Sequence, residues 1–176
     1  MCTVYFGSQD PEAKTKQVMQ ESGTIQEKYD VAGKKAFGDK YVQTTVTFDL
    51  EHATFTADGD VDEAKTPISF VNVEVMLPDA FSKKGHVDSF FLKSSELLKL
   101  TKDIQTPRIF IGAKADFVDT YGNKSESYAI KTEYPREELE KINFENFNSN
   151  NLPQLASEVW LAEALRTPEV LRWLGQ

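Results

Sequence analysis

The feature that most constrains the fold lies within residues 107–134. There, two stretches in which apolar and polar residues alternate are joined by a polar turn. Apolar side chains occupy every second position of residues 109–117, and the charged residues of that stretch fall between them. The same period of two returns over residues 128–134 and is typical of half-buried strands. Gly122 and Asn123 supply the positive φ angles of a tight turn, so we predict that the two stretches pair as an antiparallel hairpin.

Further strands are predicted upstream of this hairpin. Apolar and polar residues alternate over residues 45–50, and residues 53–57 continue the alternation on the opposite parity. The slip at Glu51-His52 is typical of a bulge or a tight turn, and we interpret His52 as structural. The β-branched run of residues 67–77 predicts a central strand.

Residues 86–101 fit two patterns. Their apolar residues match helical spacing, but residues 87–92 also fit a strand followed by a helical turn over residues 95–100. Periodicity alone does not decide between strand and helix for a short apolar run. We predict a strand followed by a short helix.

Helices are predicted at both ends of the chain. Asp10-Pro11-Glu12 supplies a capping carboxylate, a proline at the first helical position and an acid near the positive end of the helix dipole. The helix that follows is polar with a thin apolar stripe, and glycines predict breaks near Gly23 and Gly33. It is either a stalk that lifts the main domain off a surface or an edge element laid along it. Downstream, helices are predicted for residues 135–142, 152–165 and 168–174.

These elements together predict a mainly β protein. About six strands with helices confined to the two ends indicate an antiparallel β-sandwich with an N-terminal helix and C-terminal helices. The outline resembles an immunoglobulin-like sandwich in architecture only, because the Cys and Trp framework of true immunoglobulin domains is absent. We predict an apolar stub and polar helix over residues 1–40, the sandwich over 41–151 and a helical segment over 152–176.

Composition restricts the classes of partner. The 176-residue chain has a net charge of −8, which opposes non-specific attraction to nucleic acid. It holds one cysteine, Cys2, and therefore forms no intramolecular disulfide. Nothing approaches the roughly 20 consecutive apolar residues that span a bilayer. Two readings of residues 1–7 are open: Cys2 is the attachment point of a lipid anchor, or the apolar run packs as an edge strand.

One acidic loop has the carboxylate spacing of a calcium site. Alternate oxygens of Asp58, Asp60 and Asp62 can converge on one hard cation. The loop departs from the EF-hand pattern, because Glu63 stands where glycine is needed and Ser69 where a bidentate glutamate is needed. The alternative is a solvated loop that keeps neighbouring strands from aggregating. No other cofactor is predicted.

No motif of the chain predicts an enzymatic reaction. Gly33 to Asp39 mimics the glycine spacing of a P-loop, but Asp39 replaces the phosphate-binding lysine. The nucleophile elbow, the zinc-protease motif and the dinucleotide fingerprint are absent. Carboxylates are left as candidate acid and base groups, and a carboxylate-based hydrolase of carbohydrate is the alternative function.

Aromatic residues in or beside loops and terminal helices are candidate anchors for a protein partner. They are Phe81, Tyr121, Trp160 and Trp173, although the two tryptophans could instead bury against the sandwich. From these features we predict a non-enzymatic binding or adaptor module, extracytoplasmic and tethered through its N-terminus within a cell-envelope assembly. A cytoplasmic location and a calcium-stabilised surface module are the alternatives.

Overall fold

The computed structural model describes residues 10–175. The helices are α1 (Pro11–Glu21), α2 (Ile25–Phe37), α3 (Lys83–Leu100), α4 (Arg136–Leu139) and α5 (Pro168–Leu174), and the strands are β1 (Tyr41–Phe48), β2 (Ile68–Met76), β3 (Arg108–Val118), β4 (Lys124–Pro135) and β5 (Glu158–Leu161). Short 3₁₀ turns lie at Gly38–Lys40, Leu50–His52, Ser149–Leu155 and Glu163–Leu165.

The five strands form one open mixed sheet in the order β1-β2-β3-β4-β5. The central pair, β2 and β3, is parallel and is connected through α3, whereas the other neighbours are antiparallel. Helix outweighs strand, at 42% against 28%, so the prediction of a mainly β antiparallel sandwich was wrong. Helices pack on the face of the sheet where a sandwich would have its second sheet.

Helix α3 accounts for the largest difference between the predicted sandwich and the observed fold. We predicted a strand over residues 87–92, but the segment is one helix that begins after Ser82. The Ser82 hydroxyl accepts a hydrogen bond from the Gly85 amide at 3.0 Å and caps the first turn. Side chains spaced three or four apart along α3 are buried, and they include Val87, Phe90, Phe91, Ser94, Leu97 and Leu98. The helical spacing in the sequence was therefore the correct pattern.

The C-terminal segment also differs from the prediction. In place of an amphipathic helix over residues 152–165, a 3₁₀ turn, strand β5 and a second 3₁₀ turn follow one another. Pro153 lies in the first turn and cannot supply the backbone donor that a continuing helix needs. Strand β5 then pairs with β4, with Lys131 opposite Trp160.

At the N-terminal end, the predicted helix start and the break near Gly23 are confirmed, whereas the break near Gly33 is not. Asp10 caps α1, with its carboxylate accepting from the Glu12 amide at 3.1 Å, and the chain breaks at Ser22-Gly23 before α2 begins. The predicted break at Gly33 was wrong, because Gly33 lies within α2 with the Tyr41 ring packed against it. A side chain at residue 33 would overlap that ring.

The hairpin of β3 and β4 is confirmed, and Gly122 in its turn has φ +84°. The parity slip at Glu51-His52 corresponds to the 3₁₀ turn Leu50–His52. Beyond that turn, residues 53–67 contribute a single bridge between Phe55 and Val61 instead of the further strand expected over residues 53–57.

The helices cover one face of the sheet. Buried residues of β2, β3 and β4 alternate with partly exposed ones, and the buried set joins α2 and α3 in one hydrophobic core. Tyr29 and Phe37 of α2 are fully or almost fully buried in that core. The division of the chain at residues 40 and 151 stays a prediction. None of the helices described is long and apolar enough to cross a membrane.

Candidate binding site on the open face of the sheet

The face of the sheet that points away from the helices carries an aromatic-walled depression, which we call the sheet groove. It has a volume of about 380 Å³ and lies over the middle of the sheet. The side chains or backbone of nine residues line it: Thr45, Phe70, Asn72, Phe110, Ile111, Gly112, Tyr128, Lys131 and Thr132.

The register of four strands places one row of the site. Glu74 on β2 lies beside Gly112 on β3, Gly112 lies opposite Lys131 on β4, and Lys131 lies opposite Trp160 on β5. The side chains in this row share the open face, because neighbours across a sheet point the same way. The row therefore runs from a carboxylate, past a gap with no side chain, to a cation and an indole.

A register shift in β4 adds Tyr128 to the same face. Ala113 pairs with Ile130, but the next residue, Lys114, pairs with Tyr128, so β4 carries one extra residue. Residues 128 and 131 would lie on opposite faces of a regular strand, and the bulge brings both to the open face. Alternation in the sequence had grouped Tyr128 with Ile130, so the sequence pattern could not have predicted this arrangement.

The Tyr128 ring lies across the backbone of Gly112. A Cβ at residue 112 would come within 2.6 Å of Cε1 of that ring, which is closer than side-chain carbons approach. Gly112 thus leaves the space in which Tyr128 crosses β3. The Tyr128 hydroxyl reaches over β3 and donates a hydrogen bond to Glu74 on β2.

Glu74 is a nearly buried carboxylate, and its side chain is 10% exposed. Besides Tyr128, the Gln43 amide donates to it at 2.9 Å and the Lys114 ammonium at 3.1 Å. The hydrogen bond from Tyr128 is the largest cause that lowers the pKa of Glu74, and Gln43 and Lys114 add to it against the opposing effect of burial. Glu74 is therefore ionised at neutral pH and holds the Tyr128 ring in place.

Tyr128 stays neutral under the same conditions. Burial, together with the hydrogen bond to the Glu74 carboxylate, raises the pKa of Tyr128 to about 12. A phenol with a raised pKa is not an activated acid or base near neutral pH. Glu74 and Tyr128 therefore act by holding each other in position and not by transferring a proton.

Lys131 forms the cationic rim of the sheet groove. Its ammonium lies 4.6 Å from the centroid of the Tyr128 ring and 5.3 Å from that of Trp160, both within the range of cation–π attraction. With residues 10–175 it forms no ion pair. Its charge is consequently available to a ligand.

Phe70 and Phe110 form the opposite, apolar wall. Their rings meet edge to face, with centroids 5.2 Å apart and an interplanar angle of 81°. Both side chains are partly exposed, although each is large and apolar. Arg108 lies 6.0 Å from the Phe110 centroid and pairs with Glu133 at 3.4 Å.

The structure separates the four aromatic residues that the sequence singled out. Trp160 lies beside Lys131, next to the sheet groove. Tyr121 is exposed at the β3–β4 turn, and Phe81 is fully exposed in the loop before α3. Trp173 packs against Phe91, with ring centroids 5.5 Å apart, on the helical side of the sheet. A role in partner binding stays a prediction for each of them.

The acidic loop places its carboxylates in different surroundings. Asp62 pairs with Lys65 at 2.8 Å, whereas Asp58 and Asp60 are exposed. Within residues 10–175 no group of three or more acidic, histidine or cysteine side chains is close enough to hold a metal ion. Calcium binding at Asp58, Asp60 and Asp62 stays a prediction, and the melting temperature in calcium or in chelator would test it.

Cys2 lies outside the described residues. Lipid attachment there and an extracytoplasmic location stay predictions. Incorporation of a labelled fatty acid into the wild type but not into Cys2→Ser would support the first.

No protein family model, curated protein or solved structure matches this chain. The function therefore has to be inferred from the geometry of the site. That geometry depends on Glu74, Tyr128 and Lys131, for which the sequence carries no motif.

Proposed function

We propose that this protein is a non-enzymatic binding module that holds a protein partner on the open face of its sheet, with the sheet groove as the anchor point. One observation carries the proposal: Phe70, Phe110 and Tyr128 line one groove while partly exposed, with the exposed Trp160 beside it, on a face that no helix of residues 10–175 covers.

The composition of this face supports the proposal. A sheet face that meets only water is usually polar, alternating with the apolar face that packs on the core. Here large aromatic side chains occupy solvent-facing positions around a depression. Aromatic residues are enriched at the centres of protein interfaces, where they supply most of the binding energy.

The state of Glu74 favours binding over the alternative, a carboxylate-based hydrolase. A general acid of that kind needs a raised pKa, and glycoside hydrolysis needs two carboxylates facing each other across the substrate. The pKa of Glu74 is lowered, and its oxygens already accept hydrogen bonds from Tyr128, Gln43 and Lys114. These hydrogen bonds support a structural role for Glu74, in which it maintains the shape of the groove.

Site-specific photo-crosslinking tests the proposal. A benzoylphenylalanine introduced at Thr45, which is exposed beside the groove, should give a discrete adduct with a protein when the chain is expressed in its native host. The matched control is the same amino acid at Lys14, exposed on α1. The adduct should weaken in a Phe110→Ala background whose circular dichroism matches the wild type.

Two results would contradict the proposal. One is the absence of a discrete adduct from Thr45. The other is an identical set of adducts from Thr45 and Lys14, which would indicate non-specific contact.

A further inference from the structure

We infer that the sheet groove recognises a peptide segment in which an acidic residue adjoins an aromatic one, with Lys131 as the residue that selects for the acid. This inference rests on the proposed function and specifies the chemistry of the partner.

The charge of the groove argues for an anionic group. Glu74 is compensated by Lys114, whose ammonium lies 3.1 Å from it, and Glu133 pairs with Arg108. Lys131 forms no ion pair within the described part of the chain. Among the described residues that line the groove, Lys131 is the one with a charged side chain, and this unpaired cation favours an acidic group of the occupant at that point.

The position of the Lys131 ammonium is restricted before a ligand arrives. Tyr128 and Trp160 lie on either side of it at 4.6 and 5.3 Å. The hydrogen bond from Tyr128 to Glu74 in turn holds the Tyr128 ring. A cation held in place loses less side-chain entropy on binding a carboxylate than a freely moving lysine does.

The opposite wall argues for an aromatic group beside the acid. Phe70 and Phe110 present an edge-to-face pair, and a third ring can extend that arrangement. Between this pair and Lys131, the Tyr128 ring lies over Gly112 and forms part of the groove lining. Ring and carboxylate would then contact opposite sides of one groove.

The shape of the site argues for a peptide. The groove is a depression on a sheet face that is open to solvent, whereas sites for whole small ligands enclose most of the ligand surface. A shallow site can seat one ring and one charged group, and the rest of the partner then lies on the surrounding sheet.

Three capped dipeptides test the inference: acetyl-Asp-Phe-amide, acetyl-Lys-Phe-amide and acetyl-Asp-Ala-amide. Each is titrated into ¹⁵N-labelled protein, and shifts of the groove amides are followed by NMR. The Asp-Phe peptide should bind most tightly. Replacing Asp with Lys should weaken binding at least two- to fivefold, about the effect of one exposed charge pair, and replacing Phe with Ala should weaken it further.

A charge reversal makes the test specific to Lys131. In Lys131→Glu the preference should invert, with the Lys-Phe peptide binding more tightly than Asp-Phe. Lys14→Glu alters the net charge equally at an exposed position on α1 and should leave the order of the three peptides unchanged.

The outcomes separate this inference from the proposed function. If Thr45 crosslinks a partner but the Asp-Phe and Lys-Phe peptides bind equally, or neither binds, the acidic-aromatic specificity is wrong and the binding module stands. If Lys131→Glu leaves the preference for Asp-Phe intact, Lys131 is not the selecting residue. If no partner crosslinks and no peptide shifts the groove amides, both proposals are wrong.

Discussion

Gly112 is the residue on which the shape of the groove depends. It lets the Tyr128 ring cross β3 and reach Glu74, and the same ring then lies beside the Lys131 ammonium. Because residue 112 has no side chain, the Tyr128 ring can contact both the buried Glu74 carboxylate and the exposed Lys131 ammonium.

We expect Gly112→Ala to destabilise the protein by about 1 to 3 kcal/mol, because the new methyl group would overlap the Tyr128 ring. Urea unfolding measures the change. Gly23→Ala is the matched control, since a Cβ there would come no closer than 3.4 Å to Glu27 and should be tolerated. Equal stability of the two variants would contradict the placement of the ring.

Glu12 connects α1 to α3 and gives a pH prediction. It pairs with Lys99 at 2.8 Å and with Lys16 at 2.9 Å, and the hydrogen bonds from Lys99 and then Lys16 lower the pKa of Glu12 to about 2. Because its pKa is lower in the folded state, this contribution to stability is present above pH 4.5 and is lost as the pH falls toward 2.

Glu12→Gln should therefore lower the melting temperature at neutral pH, and the difference from the wild type should shrink as the pH approaches 2. The effect should be small, because the Glu12 side chain is 32% exposed and solvent screens its ion pairs. Thermal unfolding of both proteins across this range provides the measurement. A difference independent of pH would show that the ionised form of Glu12 has no part in it.

Helix α3 depends on the cap that Ser82 supplies to its first turn. The serine hydroxyl satisfies the Gly85 amide, one of the donors left without a partner at the start of every helix. Ser82→Ala should reduce stability by about 1 kcal/mol, whereas Ser82→Asp should retain most of it. The free energies of unfolding in urea decide the matter. A loss of equal size in both variants would argue against the cap.

The predicted elements succeeded where one pattern was unambiguous. Strict alternation predicted β3 and β4, and the β-branched run predicted β2. Prediction failed over residues 86–101, where adjacent Phe90 and Phe91 allowed a strand although both are buried by one helix. It failed again around Trp160, because β5 spans four residues and is stabilised mainly by pairing with β4.

The candidate site was harder to predict than the fold. Its residues are distant in sequence and are brought together by strand register, as with Glu74 and Gly112. The bulge that turns Tyr128 to the open face depends on one extra residue in β4 and leaves no trace in the hydrophobic pattern. Of the predicted aromatic anchors, Trp160 alone lies beside the groove among the residues described.

One hydrophobic core joins elements from each of the three predicted segments. Met19 of α1, Val73 of β2, Leu97 of α3 and Val170 of α5 belong to the same cluster. We expect urea unfolding to show a single transition, with tryptophan emission and far-ultraviolet circular dichroism giving the same midpoint. Separate midpoints would indicate that the N-terminal or C-terminal segment unfolds on its own.

The parallel pairing of β2 with β3 has a consequence for synthesis on the ribosome. Strand β2 carries Val71, Val73 and Val75, and its partner β3 begins 32 residues after β2 ends. Until β3 leaves the exit tunnel, the nascent chain presents an unprotected valine-rich edge. Slow translation through α3 would prolong that interval, so synonymous codons within this helix should influence the yield of soluble protein.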